Sequence, residues 1–121
     1  AQSEDQVLID ALFGIGLSRS LDGAIAKLLR SLDDTLDQSI GWYVALDAPS
    51  GLCADSGKAL GKWPRKADLT VTFHRSKPGH HLADGPHFCG RLVVCDISLR
   101  PLVTPVGERV TVVETFHPML W

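Results

Sequence analysis

The chain has 121 residues, 45% of them hydrophobic, and a formal net charge of −2 at pH 7. This length suits one compact domain with a core of its own and is too short for two ordinary domains. The basic residues are scattered and no apolar run approaches the roughly 18 residues of a membrane span, so we expect neither a nucleic-acid partner nor a membrane.

The first predicted element is a buried strand at residues 7–13 (VLIDALF), an apolar run that ends at Gly14. Apolar residues then recur at spacings of three and four over residues 21–32, as on one face of an amphipathic helix. Ser20 or Asp22 can cap the start of this helix, because a short polar side chain accepts hydrogen bonds from the first backbone amides.

Three more strands are predicted, at residues 42–48 (WYVALDA), 69–73 (LTVTF) and 91–97 (RLVVCDI). The segments between them, 52–65 and 74–90, are rich in glycine, proline or histidine and are predicted as loops, the second with room for one helical turn. The tail after residue 98 contains several prolines and one further extended stretch, residues 109–113.

The strand patterns predict the fold class. Three of the four runs are almost continuously apolar, as in strands that are covered on both faces of a parallel sheet. A helix joins the first two strands, as a βαβ unit requires. The sequence therefore predicts an α/β three-layer fold with a mostly parallel sheet. The connections after the second and third strands are poor in helix, which indicates a partial domain.

Two aspartates interrupt the apolar strands, and each precedes a glycine-containing loop. Asp10 lies inside the first predicted strand and Asp47 near the end of the second. In a parallel sheet the loops after the strands meet at one edge, where ligands bind, so both carboxylates are expected there. A buried charge is costly unless it is paired, which favours a cation site or acid–base chemistry. The alternative is that one or both acids cap a neighbouring loop by accepting backbone hydrogen bonds.

The loop after the first strand begins with Gly14-Ile15-Gly16. Arg19 stands where the G-x-G-x-x-G fingerprint requires its third glycine, so the dinucleotide motif fails. A glycine loop that leads into a helix still presents backbone amides and a positive dipole end to a phosphate, and Arg19 adds charge. The alternative is a plain strand-to-helix turn.

Two residues near the same edge offer further chemistry. Ser50 lies in P-S-G, which is not the G-x-S-x-G pattern of a serine nucleophile, so a role as cation ligand is favoured. Lys77 follows the third strand and is expected to meet a phosphate or to pair with Asp47; the alternative is a solvated lysine in a turn.

Zinc is a weaker alternative for the long loop. The spacing of its histidines and cysteine matches no standard finger, and adjacent histidines rarely bind one metal. The three cysteines of the chain contain no C-x-x-C pair, which argues against a disulfide framework and favours a reducing, cytoplasmic location. The side chains concerned are His74, His80, His81, His87 and Cys89.

Five stretches, in their order and spacing, resemble a known family: DALFGIGLSRSLDG, VALDAPSGLCADSG, ADLTVTF, KPG and DGPHFCGRLVVCDI. Over about residues 7–97 the chain resembles the later part of the YjeF N-terminal domain, the NAD(P)H-hydrate epimerase family. The tail TFHPMLW resembles the connector into the dehydratase domain of bifunctional members. The resemblance implies a Rossmann-like α/β sandwich, here as a partial domain at residues 1–100 and a connector at residues 101–121.

The resemblance also implies a small-molecule substrate, hydrated NADH or NADPH, whose two C6 epimers are interconverted, and a bound potassium ion (K+). It implies Asp10 and Ser50 as potassium ligands and Asp47 as a substrate-contacting acid, which its position and chemistry make the candidate for proton transfer. Lys77 is a further candidate for substrate binding. The implied substrate-binding loop comprises Gly14, Ile15, Gly16, Leu17, Ser18, Arg19 and Ser20.

The chain departs from the family pattern at several points. The N-N-G-G-D-G motif of the family's earlier half, which helps bind potassium and substrate, is absent from this sequence. Ala48 and Ser20 replace a larger aliphatic residue and a proline. We expect a chain that is compatible with a homodimer and is followed by a dehydratase domain in the parent protein. The alternatives are a non-catalytic nucleotide- or protein-binding module of the same fold, a hydrolase that uses Ser50 with a histidine, and a zinc protein.

Overall fold

The described part of the chain is built around one parallel sheet. The computed structural model describes residues 6–36, 40–61 and 65–99. Neighbouring strands all pair in parallel, which confirms the predicted α/β class. In the order in which they lie side by side, which is also their order along the chain, the strands are β1 (Gln6–Asp10), β2 (Ile40–Leu46), β3 (Leu69–Phe73) and β4 (Arg91–Cys95).

The first two strands end earlier than their apolar runs predict, and each end has a local cause. β1 ends at Asp10, whose carboxylate accepts the backbone N–H of Leu12 and turns the chain away from the sheet. β2 ends at Leu46, because Asp47 adopts a left-handed backbone with φ 69°. The residues that follow β1 and β2 are therefore carried by loops rather than by strands.

Helices lie in two of the connections. α1 (Gly23–Leu36) joins β1 to β2 and confirms the predicted helix, although it ends later than the apolar spacing indicates. The segment between β3 and β4 contains two short helices, α2 (Pro78–His81) and α3 (Gly85–Cys89), where the sequence predicts at most one turn. Each has a proline in its first turn, where the fixed φ of proline favours the helix. No described helix is long and apolar enough to cross a membrane.

The face of the sheet toward α1 contains the core. Tyr43, Ala45 and Ala67 form a small buried cluster, against which Leu8 packs. The buried Leu29 of α1 lines, together with strand residues, a cavity of about 130 Å³ between helix and sheet. This face therefore carries the packing that fixes the ends of β1 and β2.

The opposite face of the sheet is open. Side chains alternate between the two faces along a strand, and on this second face Val7, Ile9 and Trp42 are 57%, 61% and 55% exposed. The apolar runs predict that both faces of the sheet are covered, but the described residues leave this face uncovered. Parallel sheets are normally covered by helices on both faces, so this open face is where the described structure departs most from a complete α/β domain.

Candidate functional site

The ends of β1 and β2 bring Asp10 and Asp47 to one edge of the sheet. Asp10 is the last residue of β1, and Asp47 follows β2 directly. The loop after β2 turns back so that Ser50 contacts the Asp10 carboxylate. The loop after β1 places Gly14 beside Asp47, where an added Cβ atom would lie 3.3 Å from Asp47 Oδ2. Each loop thus reaches the neighbouring acid, and the predicted convergence of the two carboxylates is confirmed.

Asp10 is buried, and protein donors fill the hydrogen-bonding capacity of its carboxylate. Oδ2 accepts hydrogen bonds from the Tyr43 hydroxyl at 2.5 Å and the Ser50 backbone N–H at 2.8 Å. Oδ1 accepts them from the Ser50 hydroxyl at 2.6 Å and the Leu12 backbone N–H at 3.3 Å. A carboxylate offers about four lone-pair positions. These contacts include the loop capping that the sequence left open, and they account for the burial of Asp10 without a cation.

Tyr43 donates to this carboxylate from the neighbouring strand β2. It pairs with Leu8 across β1 and β2, so its side chain lies on the same face of the sheet as that of Asp10. Burial, followed by the neighbouring Asp10 charge, raises the pKa of the Tyr43 hydroxyl well above its ordinary value. The hydroxyl therefore remains a hydrogen-bond donor throughout the physiological pH range.

Among the described residues, the Asp47 carboxylate has fewer partners than the Asp10 carboxylate, and the Asp47 backbone is bound by a neighbouring strand. Its N–H donates to the Val71 carbonyl at 2.7 Å. Oδ1 accepts a hydrogen bond from the Thr72 hydroxyl at 3.0 Å and lies 3.0 Å from Lys77 Nζ. Among the described residues, hydrogen bonds reach Oδ1 but not Oδ2, which lies toward Gly14. One oxygen is therefore fixed while the other is directed at the loop after β1.

Opposing effects set the charge of Asp47. Burial alone would raise its pKa, but the hydrogen bonds from Lys77 and Thr72, together with the Lys77 charge, outweigh burial and lower the pKa below its ordinary value. Asp47 is consequently a carboxylate at neutral pH. Its chemistry is that of a base and a hydrogen-bond acceptor.

Lys77 is an ion-pair partner rather than a solvated turn residue. Besides contacting Asp47, its Nζ donates to the Thr72 hydroxyl at 2.8 Å and to the Phe73 carbonyl at 3.2 Å. Its side chain remains 23% exposed, so a ligand can reach it. The structure thus shows the Asp47 pairing that the sequence offered as one alternative, and the phosphate contact stays a prediction.

His80 is a site residue that the sequence identifies only as one of several histidines in a loop. The residue is 3% exposed. Nδ1 accepts the backbone N–H of Lys77 at 2.9 Å, and Nε2 lies 2.6 Å from the Asp47 carbonyl oxygen. Both ring nitrogens are thus engaged by protein, which leaves none for zinc. The spacing K-P-G-H is the available signal, because a side chain at the third helical position can reach back to the residue before the helix.

The loop after β1 forms an open pocket of about 350 Å³ next to Asp47. Ile15 is exposed and Ser20 lies near Gly61, so these two members of the predicted loop do not line it. Ser18 and Arg19 give the pocket polar and cationic character. The lining residues are Leu12, Phe13, Gly14, Gly16, Leu17, Ser18 and Arg19.

Ser50 does not have the surroundings of a nucleophile. It is 1% exposed, and its hydroxyl donates to Asp10. A serine nucleophile needs a base within hydrogen-bond reach, whereas His80 contacts Asp47 and Lys77 instead. The described residues contain no group of three or more His, Cys, Asp or Glu side chains that could hold a metal ion, and the three cysteines are free.

Known proteins resemble this chain over most of its length. The family model described as YjeF-related protein N-terminus matches residues 1–79. The chain is 43% identical over 101 residues to the bifunctional NAD(P)H-hydrate repair enzyme Nnr of Hyperthermus butylicus, which covers 84% of this chain and 18% of that protein. It is 39% identical over 90 residues to the NAD(P)H-hydrate epimerase of Limosilactobacillus fermentum, which covers 74% of this chain and 41% of that protein.

A third relative gives the same result. The NAD(P)H-hydrate epimerase of Roseobacter litoralis is 41% identical over 97 residues, which covers 79% of this chain and 40% of that protein. The chain thus spans about two fifths of the length of these epimerases and less than one fifth of the bifunctional relative. The family match includes the loop after β1, both aspartates, Ser50 and Lys77. The chain therefore belongs to the family of YjeF-related protein N-termini.

Proposed function

We propose that this chain carries part of the substrate site of an NAD(P)H-hydrate epimerase, and that Asp47 handles the transferred proton. The observation that carries the proposal is the geometry of the Asp47 carboxylate. Lys77 and Thr72 fix Oδ1, whereas Oδ2 is directed toward the loop after β1. The two epimerase relatives, at 39% and 41% identity, support hydrated NADH or NADPH as the substrate class.

The pocket after β1 suits the phosphate-bearing part of such a substrate. Arg19 supplies a cationic side chain at the pocket wall. The 14-residue α1 begins shortly afterwards, and the start of a helix favours an anion. Gly14 has a second role, since a side chain there would crowd Asp47 Oδ2. We therefore propose the loop of residues 14–20 as the substrate-binding loop and Lys77 as a neighbouring substrate contact.

The ionised state of Asp47 selects its part in the chemistry. Epimerisation at C6 requires that the hydroxyl group leaves and returns, or that the ring opens and closes on the other face. A carboxylate with a lowered pKa is a poor proton donor to a departing hydroxide. It is well suited to take the hydroxyl proton as the C6–N1 bond breaks and C6 becomes an aldehyde, and to deliver that proton to N1. Closure on the other face reverses both transfers. The charge of Asp47 therefore favours the ring-opening route.

The potassium ion that the family resemblance implies fits the chemistry of two described donors. Asp10 and Ser50 offer oxygen atoms, the ligands that hard cations take. Their 2.6 Å contact is a hydrogen bond, so the Ser50 hydroxyl proton must turn away from Asp10 before both oxygens can face one ion. We propose Asp10 and Ser50 as part of a potassium site. When bound, the ion would supply positive charge beside the buried carboxylate.

Further polypeptide is expected to complete this site. The chain spans about two fifths of the epimerase relatives, and one face of its sheet is open. We propose that residues 1–100 form the later part of the domain. The connector toward a dehydratase domain, residues 101–121, lies outside the described residues. A homodimer and a cytoplasmic location stay predictions.

A non-catalytic nucleotide- or protein-binding module is the second candidate function. The short span of the match favours it, because a chain that carries only part of a site can bind a ligand without converting it. Binding of hydrated NADPH by this chain without epimer exchange, beside a full-length natural protein that does exchange the epimers, would select this function for the chain.

Separation of the two C6 epimers of hydrated NADPH over time tests the proposal in the full-length natural protein. Asp47→Asn should slow epimer exchange by about a hundredfold, because an amide cannot take the proton. Asparagine tolerates the left-handed backbone, so the fold is retained. Asp55→Asn, at an exposed position in the next loop, is the matched control and should keep the wild-type rate. Unchanged exchange in Asp47→Asn would remove Asp47 from the mechanism.

A further inference from the structure

A buried histidine connects the two charged members of the site. His80 belongs to α2, and its ring lies between the backbone of Lys77 and the backbone of Asp47. We propose that His80 is a positioning residue, which holds the Asp47 carboxylate in place by hydrogen bonding to the Asp47 carbonyl. The effect of His80 on the rate of epimer exchange rests on the proposed function. The effect of His80 on the distance between Asp47 and Lys77 does not.

The hydrogen bonds determine the tautomer of His80. Nδ1 accepts the Lys77 backbone N–H at 2.9 Å, so Nδ1 carries no proton. The partner of Nε2, 2.6 Å away, is the Asp47 carbonyl oxygen, which can only accept. Nε2 must therefore carry the proton and donate it. A doubly protonated ring would turn a donor toward the Lys77 N–H and lose this arrangement.

Three contacts connect Lys77, His80 and Asp47 in a closed cycle. The Lys77 backbone donates to His80, His80 donates to the Asp47 carbonyl, and Lys77 Nζ pairs with Asp47 Oδ1 at 3.0 Å. The same lysine thus binds the histidine through its backbone and the aspartate through its side chain. A displacement of the Asp47 backbone would therefore lengthen the ion pair that fixes its carboxylate.

The backbone of Asp47 needs such support. Its φ of 69° lies in the left-handed region, which is unfavourable for a residue with a side chain and persists only where surrounding contacts hold it. The Val71 carbonyl binds the N–H of Asp47, and His80 binds its carbonyl. Both hydrogen-bonding groups of the strained residue are therefore held, one by β3 and the other by α2.

The backbone around His80 packs tightly against the loop after β2. The Gly79 N–H donates to the Ala54 carbonyl at 2.6 Å, and a Cβ atom on Gly79 would overlap the Cys53 carbonyl oxygen. A Cβ atom on Gly57 would overlap the Leu82 carbonyl oxygen. The backbones of α2 and of the loop after β2 thus pack against each other without intervening side chains. This contact fixes the distance between His80 and the chain around Asp47.

Two substitutions separate positioning of Asp47 from simple capping of α2. In His80→Asn, the amide oxygen can take the place of Nδ1 and still accept the Lys77 N–H, but the donor to Asp47 is lost. In His80→Gln, the amide nitrogen can take the place of Nε2 and still donate to the Asp47 carbonyl, but the acceptor for Lys77 is lost. His87→Gln, at an exposed histidine of α3, is the matched control.

The first readout is nuclear magnetic resonance of the carboxyl carbon of Asp47 during an acid titration of this chain. His80→Asn should move the Asp47 titration upward, because the carboxylate loses its close contact with Lys77, whereas His80→Gln and His87→Gln should titrate as the wild type does. In the wild type, the ring nitrogen shifts of His80 should show the proton on Nε2. Wild-type titration of Asp47 in His80→Asn, or a proton on Nδ1, would overturn the proposal.

The second readout is epimer exchange by the full-length natural protein. His80→Asn should lower kcat by about tenfold with KM within about twofold, because misplacement of a reacting group affects the transition state more than binding. His80→Gln should recover most of the loss, and equal kcat losses in both variants would contradict positioning. If wild-type protein exchanges no epimers while the Asp47 titration behaves as expected, the proposed function fails and the positioning role stands.

Discussion

Asp10 and Asp47 occupy similar places in the sequence and opposite environments in the structure. Each lies at the end of an apolar strand and precedes a glycine-containing loop. Asp10 is 6% exposed and is bound by four neutral donors, whereas the side chain of Asp47 is 22% exposed and pairs with Lys77. The comparison shows that partners, rather than strand position, decide whether a carboxylate at this edge stabilises the fold or remains available for chemistry.

The two sets of contacts also differ in what they connect. The Asp10 hydrogen bonds join β1 to Tyr43 on β2 and to Ser50 in the loop after β2. The Asp47 contacts leave one carboxylate oxygen directed at the loop after β1. We therefore expect loss of Asp47 to reduce activity with little effect on stability, whereas loss of Asp10 should reduce stability and, through the proposed potassium site, activity as well.

The largest expected effect on stability is that of Asp10→Asn. Its amide NH₂ group must face either the buried Ser50 backbone N–H or the part-buried Leu12 backbone N–H, so two donors oppose each other. We expect the free energy of unfolding to fall by about 2–4 kcal/mol in urea denaturation. The matched Asp47→Asn should lose less than about 1 kcal/mol, because a partly exposed ion pair contributes little. Equal losses in the two variants would contradict the comparison.

Tyr43→Phe should have an intermediate effect. It keeps the buried ring and removes the hydroxyl that donates to Asp10 at 2.5 Å. We expect the free energy of unfolding to fall by about 1.5–3 kcal/mol, the amount associated with one hydrogen bond to a charged group. Urea denaturation measures it, and the Asp47 titration serves as the control that should not move. A variant as stable as the wild type would show that the Tyr43 hydroxyl does not support Asp10.

Lys77→Met should raise the pKa of Asp47 and change the free energy of unfolding little. Methionine retains an apolar chain of similar length but removes the charge and the hydrogen bond that lower the pKa of Asp47. Burial then dominates, and the Asp47 pKa should rise, as carboxyl carbon resonance can measure. Lys27→Met, at an exposed position of α1, is the control. An unmoved Asp47 titration would show that Lys77 does not set its charge.

The smallest expected effects are in the pH dependence of stability. Burial, ahead of other influences, lowers the pKa of His80 below its ordinary value of 6.5, so the unfolded chain takes up this proton at a higher pH than the folded chain. The His80 contribution is therefore complete above pH 6.5 and is lost as the pH falls through the lower folded pKa.

Asp47 acts in a separate and more acidic window. Its stabilising contribution is present above its ordinary pKa of 3.8 and is lost only as the pH falls through its lower folded pKa. Unfolding free energies should be measured as a function of pH. The loss of stability below pH 6.5 should be absent in His80→Gln, and the loss at the more acidic pH should be absent in Asp47→Asn. If either variant removed both windows, the two groups would not titrate independently.

The sequence predicted the parallel sheet and the convergence of the two acids, because apolar runs and strand order determine both. It could not choose between the possible partners of each acid. Tyr43 reaches Asp10 across 33 residues of sequence, and the role of His80 depends on the left-handed turn at Asp47. Nor could it predict the open face of the sheet, because an apolar pattern records a preference for burial and not what covers the surface.

The left-handed turn at Asp47 limits how this position can evolve. Besides aspartate, the residues that adopt such a backbone at the lowest cost are glycine, asparagine and histidine, and the first two cannot accept a proton as a carboxylate does. Glutamate, the closest chemical substitute, lacks this tolerance and is disfavoured by the backbone. A substitution at this position therefore either strains the left-handed turn or keeps the shape of the site and loses its carboxylate.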